Sequence, residues 1–319
     1  MSDRSPRGVT AFAPGGVGNV GPGLDILGMA VEGPGDTVRA AWSETPGIQV
    51  SEPGHPDLPT DPTRHAAAVA AAAVLRRIET GTQVQRGITL TVHKGLPLAG
   101  GQGGSAASAV AAAVAVNQLL GRPLEPIELM SAALDAEEQV AGRHADNVAA
   151  SLLGGIVLIR SLQPVDLIQL PVPDDLWVVL VRPDQQLRTA EARSVLPSEV
   201  PRALALHQAA QVGALVAALA SGDYDLLGRS IDDRIAEPAR ADLLPGFREA
   251  KRAALDAGAL GSSISGAGPT SFALVRGPEL GGRVAEAMSQ AYAACGYPSD
   301  SRVARVDRVG ARLIGEVSP

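Results

Sequence analysis

Five glycines fall between Gly95 and Gly104, and an alanine- and valine-rich run follows directly to Leu120. Glycines at that density let backbone amides approach a ligand and accept positive φ without a Cβ clash. Unpaired amides at a helix start attract anions, and consecutive backbone donors form a nest that suits phosphate. No Lys-Ser or Lys-Thr pair closes the loop, so it is not a Walker A sequence. Composition leaves a second reading open, in which the glycines make a tight turn that packs the helix on a sheet. Another glycine turn, Ser265-Gly266-Ala267-Gly268, lies far down the chain. The two can line one cleft only at a domain interface, where ligand sites are common. Asn19 and Asp25 stand in a Gly-Pro stretch over residues 14–28, and side chains of this kind also stabilise turns. The histidines, His55, His65, His93, His144 and His207, show no zinc-ligand spacing.

The elements that position these residues follow from pattern. The segment ITLTVHKGLPL alternates over residues 87–93 and supplies a strand before the glycine loop, while residues 105–120 read as a buried helix. Upstream, residues 9–13 read as a strand, 14–28 as a loop, and 29–31 and 37–42 as a pair of short strands. Residues 44–62 read as an exposed excursion ending at Thr60-Asp61-Pro62, a helix start. The helix over 63–77 closes on Arg76 and Arg77, placed well for its dipole. Residues 125–140 form a helix, 142–147 a polar loop and 156–160 a strand. A boundary is expected near 160–173. Beyond it come a strand over 176–181, helices over 190–193, 201–220, 224–233, 245–257 and 280–294, and closing strands over 302–307 and 311–317. This order fits two α/β modules on largely antiparallel sheets better than a parallel doubly wound fold.

Bulk composition narrows the function. At 319 residues the chain can bury a large core in two domains. A formal charge of −7 and 3% aromatics argue against a polycationic nucleic-acid surface and against stacking platforms for bases. Cys295 is the one cysteine, which excludes a disulfide framework and a cysteine metal cluster. The N-terminal MSDRSPRG is too polar for a signal peptide, and the alanine tracts read as too short or too interrupted for a membrane span. A soluble cytoplasmic protein is expected.

Taken in order, the motifs resemble the GHMP superfamily of small-molecule kinases (galactokinase, homoserine kinase, mevalonate kinase and phosphomevalonate kinase), and within it the homoserine kinases, over almost the full chain. APGGVGNVGPGLDILGMAV over 13–31 resembles a substrate-site segment and implies substrate roles for Asn19 and Asp25. LPLAGGQGGSAASA over 96–109 resembles the phosphate loop PxxxGLGSSAA. It implies nucleotide binding by Pro97, Leu98, Ala99, Gly100, Gly101, Gln102, Gly103, Gly104, Ser105 and Ala106. Gln102 stands where Leu is usual, Gly104 replaces the first of two serines, and Gly100 stands where an arginine often precedes the loop. EEQVAGRHADNVAASLLGG over 137–155 is similar to the homoserine kinase HADNVAxxLLGG segment. It implies Glu137 as a Mg²⁺ ligand with Ser105, Glu138 being the alternative. It also places Asn147 in the catalytic and substrate set, where many other relatives carry a catalytic Asp. Asp146 and His144 receive no catalytic role.

LRTAEARSVLP over 187–197 resembles the TxxxR…LP segment and implies substrate binding by Thr189 and Arg193. RIAEPARADLLPG adds Arg240, so that two guanidinium forks meet one carboxylate. GALGSSISGAGPTSFAL over 258–274 resembles the C-terminal glycine loop and brings Gly266 to the substrate side. His65 stands where relatives carry an Asn near the base or ribose.

The resemblance implies an α+β fold. Residues 1–165 would form an N-terminal ATP-binding domain like ribosomal protein S5 domain 2, and residues 166–319 a C-terminal ferredoxin-like α/β sandwich. It implies ATP and Mg²⁺ as cofactors, phosphorylation of the L-homoserine hydroxyl in threonine biosynthesis, and a cytoplasmic homodimer without nucleic-acid or membrane partners. Two alternatives stay open: a related kinase for an alcohol without a carboxylate, and a non-catalytic nucleotide-binding homologue, which the altered GQGGS loop favours.

Overall fold

The computed structural model describes residues 7–78, 86–121, 124–140 and 142–317. Strand β1 (Gly8–Gly18) pairs antiparallel with β2 (Leu27–Ser43), and β3 (Ile48–Glu52) lies further along the same sheet. After helix α1 (Ala66–Ile78), strand β4 (Gly87–His93) joins β2 antiparallel and β3 parallel. Helices α2 (Gly104–Leu119), α3 (Pro126–Val140) and α4 (Ala145–Leu153) follow, and a hairpin of β5 (Ile156–Leu162) and β6 (Val165–Leu170) adds to β2 through β5.

Strand β7 (Leu176–Pro183) opens the second sheet, and helices α5 (Thr189–Ser194), α6 (Arg202–Ser221), α7 (Tyr224–Ser230), α8 (Ala236–Ala241) and α9 (Phe247–Asp256) follow. Strands β8 (Gly261–Ile264) and β9 (Ser271–Arg276), helix α10 (Pro278–Ala294) and strand β10 (Ser299–Arg305) complete that module, a four-stranded antiparallel sheet ordered β10-β7-β9-β8. The chain then returns, and β11 (Arg312–Val317) pairs with β1. Past residue 165, β6 and β11 therefore both belong to the first sheet.

Four segments differ from the sequence reading. Residues 14–28 are not all loop, because β1 stays extended to Gly18 opposite Gly28, Met29 and Ala30 of β2. Ladder hydrogen bonds come from the backbone, so a Gly-Pro-rich stretch carries a strand that side-chain propensity hides. The expected short pair 29–31 and 37–42 is one long strand for the same reason. The exposed excursion 44–62 contributes β3, and the polar loop 142–147 gives way to α4 at Ala145.

Helix α2 is the centre of the first module. Twelve of its sixteen residues are buried, which marks a helix apolar on every side and enclosed on every side. Alanines at 106, 107, 109, 111, 112, 113 and 115 let α1, α3 and the sheet approach closely. Enlarging one of them would overpack the core at a cost of about 1–3 kcal/mol. The second sheet is buried on both faces by the alternation of its strands. Val179, Val181, Ala273 and Val275 face Ala250, Val284, Met288 and Tyr292, while Val178, Leu180, Phe272 and Leu274 share a cluster with Met29, Val31, Leu215 and Leu219. That shared cluster joins the two sheets and fixes the cleft between them. Removing Phe272 by substitution to Ala would cost about 3–5 kcal/mol.

Helix α6 is long and apolar enough to cross a membrane by length and composition alone. In the fold, Leu215, Ala218 and Leu219 dock it into the shared cluster.

Candidate active site

The glycine loop turns where a side chain would be strained. Gly101 and Gly103 take φ of 72° and 69°, and a Cβ on Gly101 would lie 2.7 Å from the carbonyl oxygens of Ser265 and Gly268. The loop therefore packs backbone to backbone on the second glycine turn. Two hydroxyls fasten it: Ser265 Oγ donates to the Gly101 carbonyl at 2.7 Å and Thr270 Oγ1 to that of Gly100 at 2.5 Å. Gly103 caps α2 without any side-chain hydrogen bond, so the first-turn amides keep the helix's positive end open.

Beneath the loop sits a buried network that sequence reading missed. Asp36 accepts from Lys94, from Ser108 Oγ at 2.6 Å, and from the amides of Gly95 and Leu96 at 3.2 and 3.3 Å. Lys94 Nζ also donates to the Gly104 carbonyl at 2.8 Å and to Ser108 Oγ at 3.1 Å. A buried ion pair needs such extra hydrogen bonds to offset its desolvation. Here they tie the strand end, the loop and the helix start into one unit. The sequence shows a lysine closing an alternating strand just before the glycine loop, but not its partner Asp36, 58 positions upstream.

A cavity of about 600 Å³ opens in front of this unit. At one end it is lined by Pro97, Leu98, Ala99, Gly100, Gly101, Gly103, Gly104, Ser105 and His65. At the other it reaches Asn19, Asp25, Asp146, Asn147, Thr189, Arg240 and Gly266, and Lys94, Glu137 and Glu138 also line it. Glu137, in the last turn of α3, is buried, whereas Glu138 is exposed and pairs with Arg143. Burial pushes the Glu137 carboxyl up to about 7, Asp146 adds to the rise, and Ser105 and Lys94 oppose it. Ser105 faces Glu137, yet among the described residues Ser105 Oγ and Glu137 Oε2 both lack a partner within hydrogen-bond geometry.

The opposite end is more fully paired. Asn19 and Asp25 have φ of 71° and 61°, uncommon for non-glycine residues. Asn19 donates from its amide to Asp146 at 2.8 Å and from Nδ2 to the Gly266 carbonyl at 2.9 Å, and its Oδ1 accepts from the Asp25 amide at 3.0 Å. Arg193 forks onto both oxygens of Asp25, at 2.7 and 3.2 Å, and lies 3.3 Å from His144 Nδ1. Arg240 is buried and donates to the carbonyls of Ala192 and Gly266, at 3.1 and 2.8 Å. Burial, then the Arg193 charge, lowers its proton affinity. Asp146 is buried in the first turn of α4, where burial and then the Asp25 charge raise its carboxyl to about 6.

Models of the GHMP kinases N terminal domain and the GHMP kinases C terminal domain match residues 66–155 and 215–294. A homoserine kinase of Chlorobium phaeobacteroides (strain BS1) is 44% identical, over 96% of this chain and 99% of that relative. The chain belongs to the homoserine kinase family of the GHMP kinases. A homoserine kinase of Arabidopsis thaliana is also 44% identical, over 97% of this chain and 85% of that one. The crystal structure of homoserine kinase from Cytophaga hutchinsonii ATCC 33406 superposes with a TM-score of 0.92 at 39% identity, covering 98% of this chain and 99% of that one. The fold is thus the GHMP kinase fold, with its N- and C-terminal domains.

Within that frame the cavity gathers most of the residues singled out from the sequence, with three exceptions. Gln102 turns its side chain away to Thr270 and Arg302, Ala106 is buried in the core of α2, and Arg193 stands behind Asp25. His65 donates from Nε2 to the Pro53 carbonyl at 3.1 Å, its Nδ1 is buried without a partner among the described residues, and burial lowers its proton affinity. The carbonyl must accept, so the neutral ring leaves Nδ1 as an acceptor. Asn147 wedges between two backbone segments, since a Cβ on Gly18 or on Gly103 would meet its amide at 2.8 Å. The residues present fit the Mg²⁺ that GHMP kinases use with ATP: a buried carboxylate and a buried hydroxyl face each other with an unmatched oxygen on each.

Proposed function

We propose that the protein transfers the γ-phosphoryl group of ATP to the side-chain hydroxyl of L-homoserine, giving O-phospho-L-homoserine and ADP within threonine biosynthesis. The observation that carries this reading is one cavity joining an open helix start to Arg240 and to Asp25, which Arg193 grips, in a chain 44% identical to homoserine kinases over nearly full length.

Residues 97–104 and the first turn of α2 cradle the phosphates, and Lys94 holds the Gly104 carbonyl so that the amides keep their direction. Mg²⁺, when bound, neutralises phosphate charge, and Ser105 and Glu137 are the residues that would hold it. His65 Nδ1 accepts from the base or ribose. At the far end the Asp25–Arg193 fork matches the two charges of an amino-acid zwitterion. Asp25 takes the ammonium group, while Arg193 and Arg240 take the carboxylate, with Thr189 beside them. Asn19 and Gly266 shape the floor, and Asn147 orients the hydroxyl toward the phosphate loop. Phosphoryl transfer has a loose transition state, so positioning and charge stabilisation carry the catalysis without a dedicated base.

The protein works in the cytoplasm as a homodimer, with no nucleic-acid or membrane partner, in line with its net charge of −7. Incubating it with ATP, Mg²⁺ and a panel of hydroxyl compounds, and following ADP, tests the reading. L-Homoserine should give the highest kcat/KM, and alcohols lacking the α-carboxylate should react at least about 100-fold more slowly, as expected when a buried guanidinium loses its partner. Equal rates with mevalonate-like or sugar alcohols would point to a related kinase, and no ADP with any of them to a non-catalytic homologue.

A further inference from the structure

The phosphate loop is open to the cavity on one side and stapled to the second sheet on the other. Two of the staples, from Ser265 and Thr270, end on loop carbonyls that any residue would supply. The third depends on a side chain of the loop itself. Gln102 Oε1 accepts from Arg302 Nη2 at 3.0 Å, and its Nε2 donates to Thr270 Oγ1 at 3.4 Å, while the Gln102 carbonyl accepts from Gly16 at 3.1 Å. Arg302 lies on β10, opposite Leu180 of β7, and its Nη1 donates to the Glu32 carbonyl at 3.1 Å. It thereby touches the loop, the β2 segment of the first sheet and the second sheet at once.

The electrostatics of Arg302 are unusual. No carboxylate among the described residues pairs with it, its Nε is buried without a partner, and burial brings it down to about 10, so it remains charged at neutral pH. A charged donor on a neutral amide oxygen makes a stronger hydrogen bond than two neutral groups would. Leucine, usual at position 102 in loops that resemble this one, can make neither of the Gln102 side-chain bonds.

We propose that Gln102 and Arg302 act as a positioning pair that holds the phosphate loop in its anion-binding shape from behind, so that ATP affinity depends on their mutual contact. The inference rests on the reading of residues 97–104 as the nucleotide cradle. Neither side chain touches ATP.

The test is a double-mutant cycle on the full-length protein, read by steady-state kinetics and by calorimetric titration with ATP and Mg²⁺. Gln102→Leu and Arg302→Met should each weaken ATP about 10-fold, the double variant should be no more than about twofold worse than the weaker single, and kcat should fall less than about threefold. KM for L-homoserine should stay within about twofold, and Arg302→Lys, which keeps a charged donor, should bind ATP within about threefold of the wild type. Unchanged ATP affinity in Gln102→Leu, or single effects that multiply in the double variant, would overturn the pair. If either apolar variant fails to fold, Gln102→Glu decides. It supports the proposal if ATP binds within about threefold of wild type and Arg302→Lys in that background does so too, and overturns it if binding is lost. Failure of the functional reading shows separately: the wild type would release no ADP with L-homoserine, while ATP binding still reports on the pair.

Discussion

The two ends of the cavity are prepared in opposite ways. At the phosphate end, Ser105 Oγ and Glu137 Oε2 are buried with their hydrogen-bonding capacity unmet. At the amino-acid end the guanidinium groups already have hydrogen-bond partners, Arg193 the Asp25 carboxylate and Arg240 two backbone carbonyls. An unmet buried oxygen is costly, and on the proposed reading a cation arriving with the nucleotide would relieve that cost. A pre-paired fork costs little while the site is empty, and the zwitterion replaces each partner with one of like charge. On that reading the phosphate end would gain affinity by relief, the substrate end by exchange.

Breaking the unmet end should give the largest effect. Glu137→Gln removes the buried carboxylate and should lower kcat by roughly 1,000-fold, whereas Asp146→Asn should leave the Mg²⁺ dependence of the rate unchanged. Equal activity in the two variants would contradict the metal assignment. The same substitution should change stability with a definite sign. Glu137 has an ordinary value of 4.5 and a folded value of about 7, so the folded state keeps a proton that the unfolded chain gives up. Its contribution is therefore fully present below about pH 4.5 and is lost as pH rises toward 7. Without ligands, Glu137→Gln should exceed the wild type in stability by on the order of 3 kcal/mol at pH 8 and match it at pH 4, as denaturant melts at the two pH values will tell.

Breaking the matched end should act on substrate binding alone. Arg240→Met should raise KM for L-homoserine roughly 10–100-fold with KM for ATP nearly constant, because one charge-assisted interaction is lost. A parallel rise in both constants would mean that Arg240 holds the fold through Ala192 and Gly266 rather than the substrate. The smallest effect belongs to Ser105→Ala, about 10-fold in kcat/KM, measured at limiting Mg²⁺. Gly104 supplies no second hydroxyl, so on the proposed reading this loop would rely on backbone amides and on Ser105.

Local signals made much of this legible in the sequence. The apolar run of α2, the alternation of β4 and the α3 helix were visible because each repeats a period along the chain. Strand β1 beyond Ala13 and the parallel strand β3 were not, since their existence depends on partners distant in sequence. The motifs singled out residues most of which line the cavity, yet their contacts did not follow from the sequence. Nothing in the order of residues tells that Arg193 rests on Asp25, that Gln102 turns from the cavity to Arg302, or that Asp36 and Lys94 underpin the loop. Those facts come from contacts between segments distant in the chain, between the two modules for Arg193 and Gln102 and between β2, β4 and α2 for Asp36 and Lys94.

The central question is whether the buried Glu137, whose Oε2 has no partner among the described residues, is there for a cation. Mn²⁺ binding followed by electron paramagnetic resonance, in the presence of a non-hydrolysable ATP analogue, addresses it directly. The wild type should take up the ion with the nucleotide, and Glu137→Gln should bind it at least about 10-fold more weakly while L-homoserine binds as before. Equal Mn²⁺ affinity in the two proteins would contradict the account.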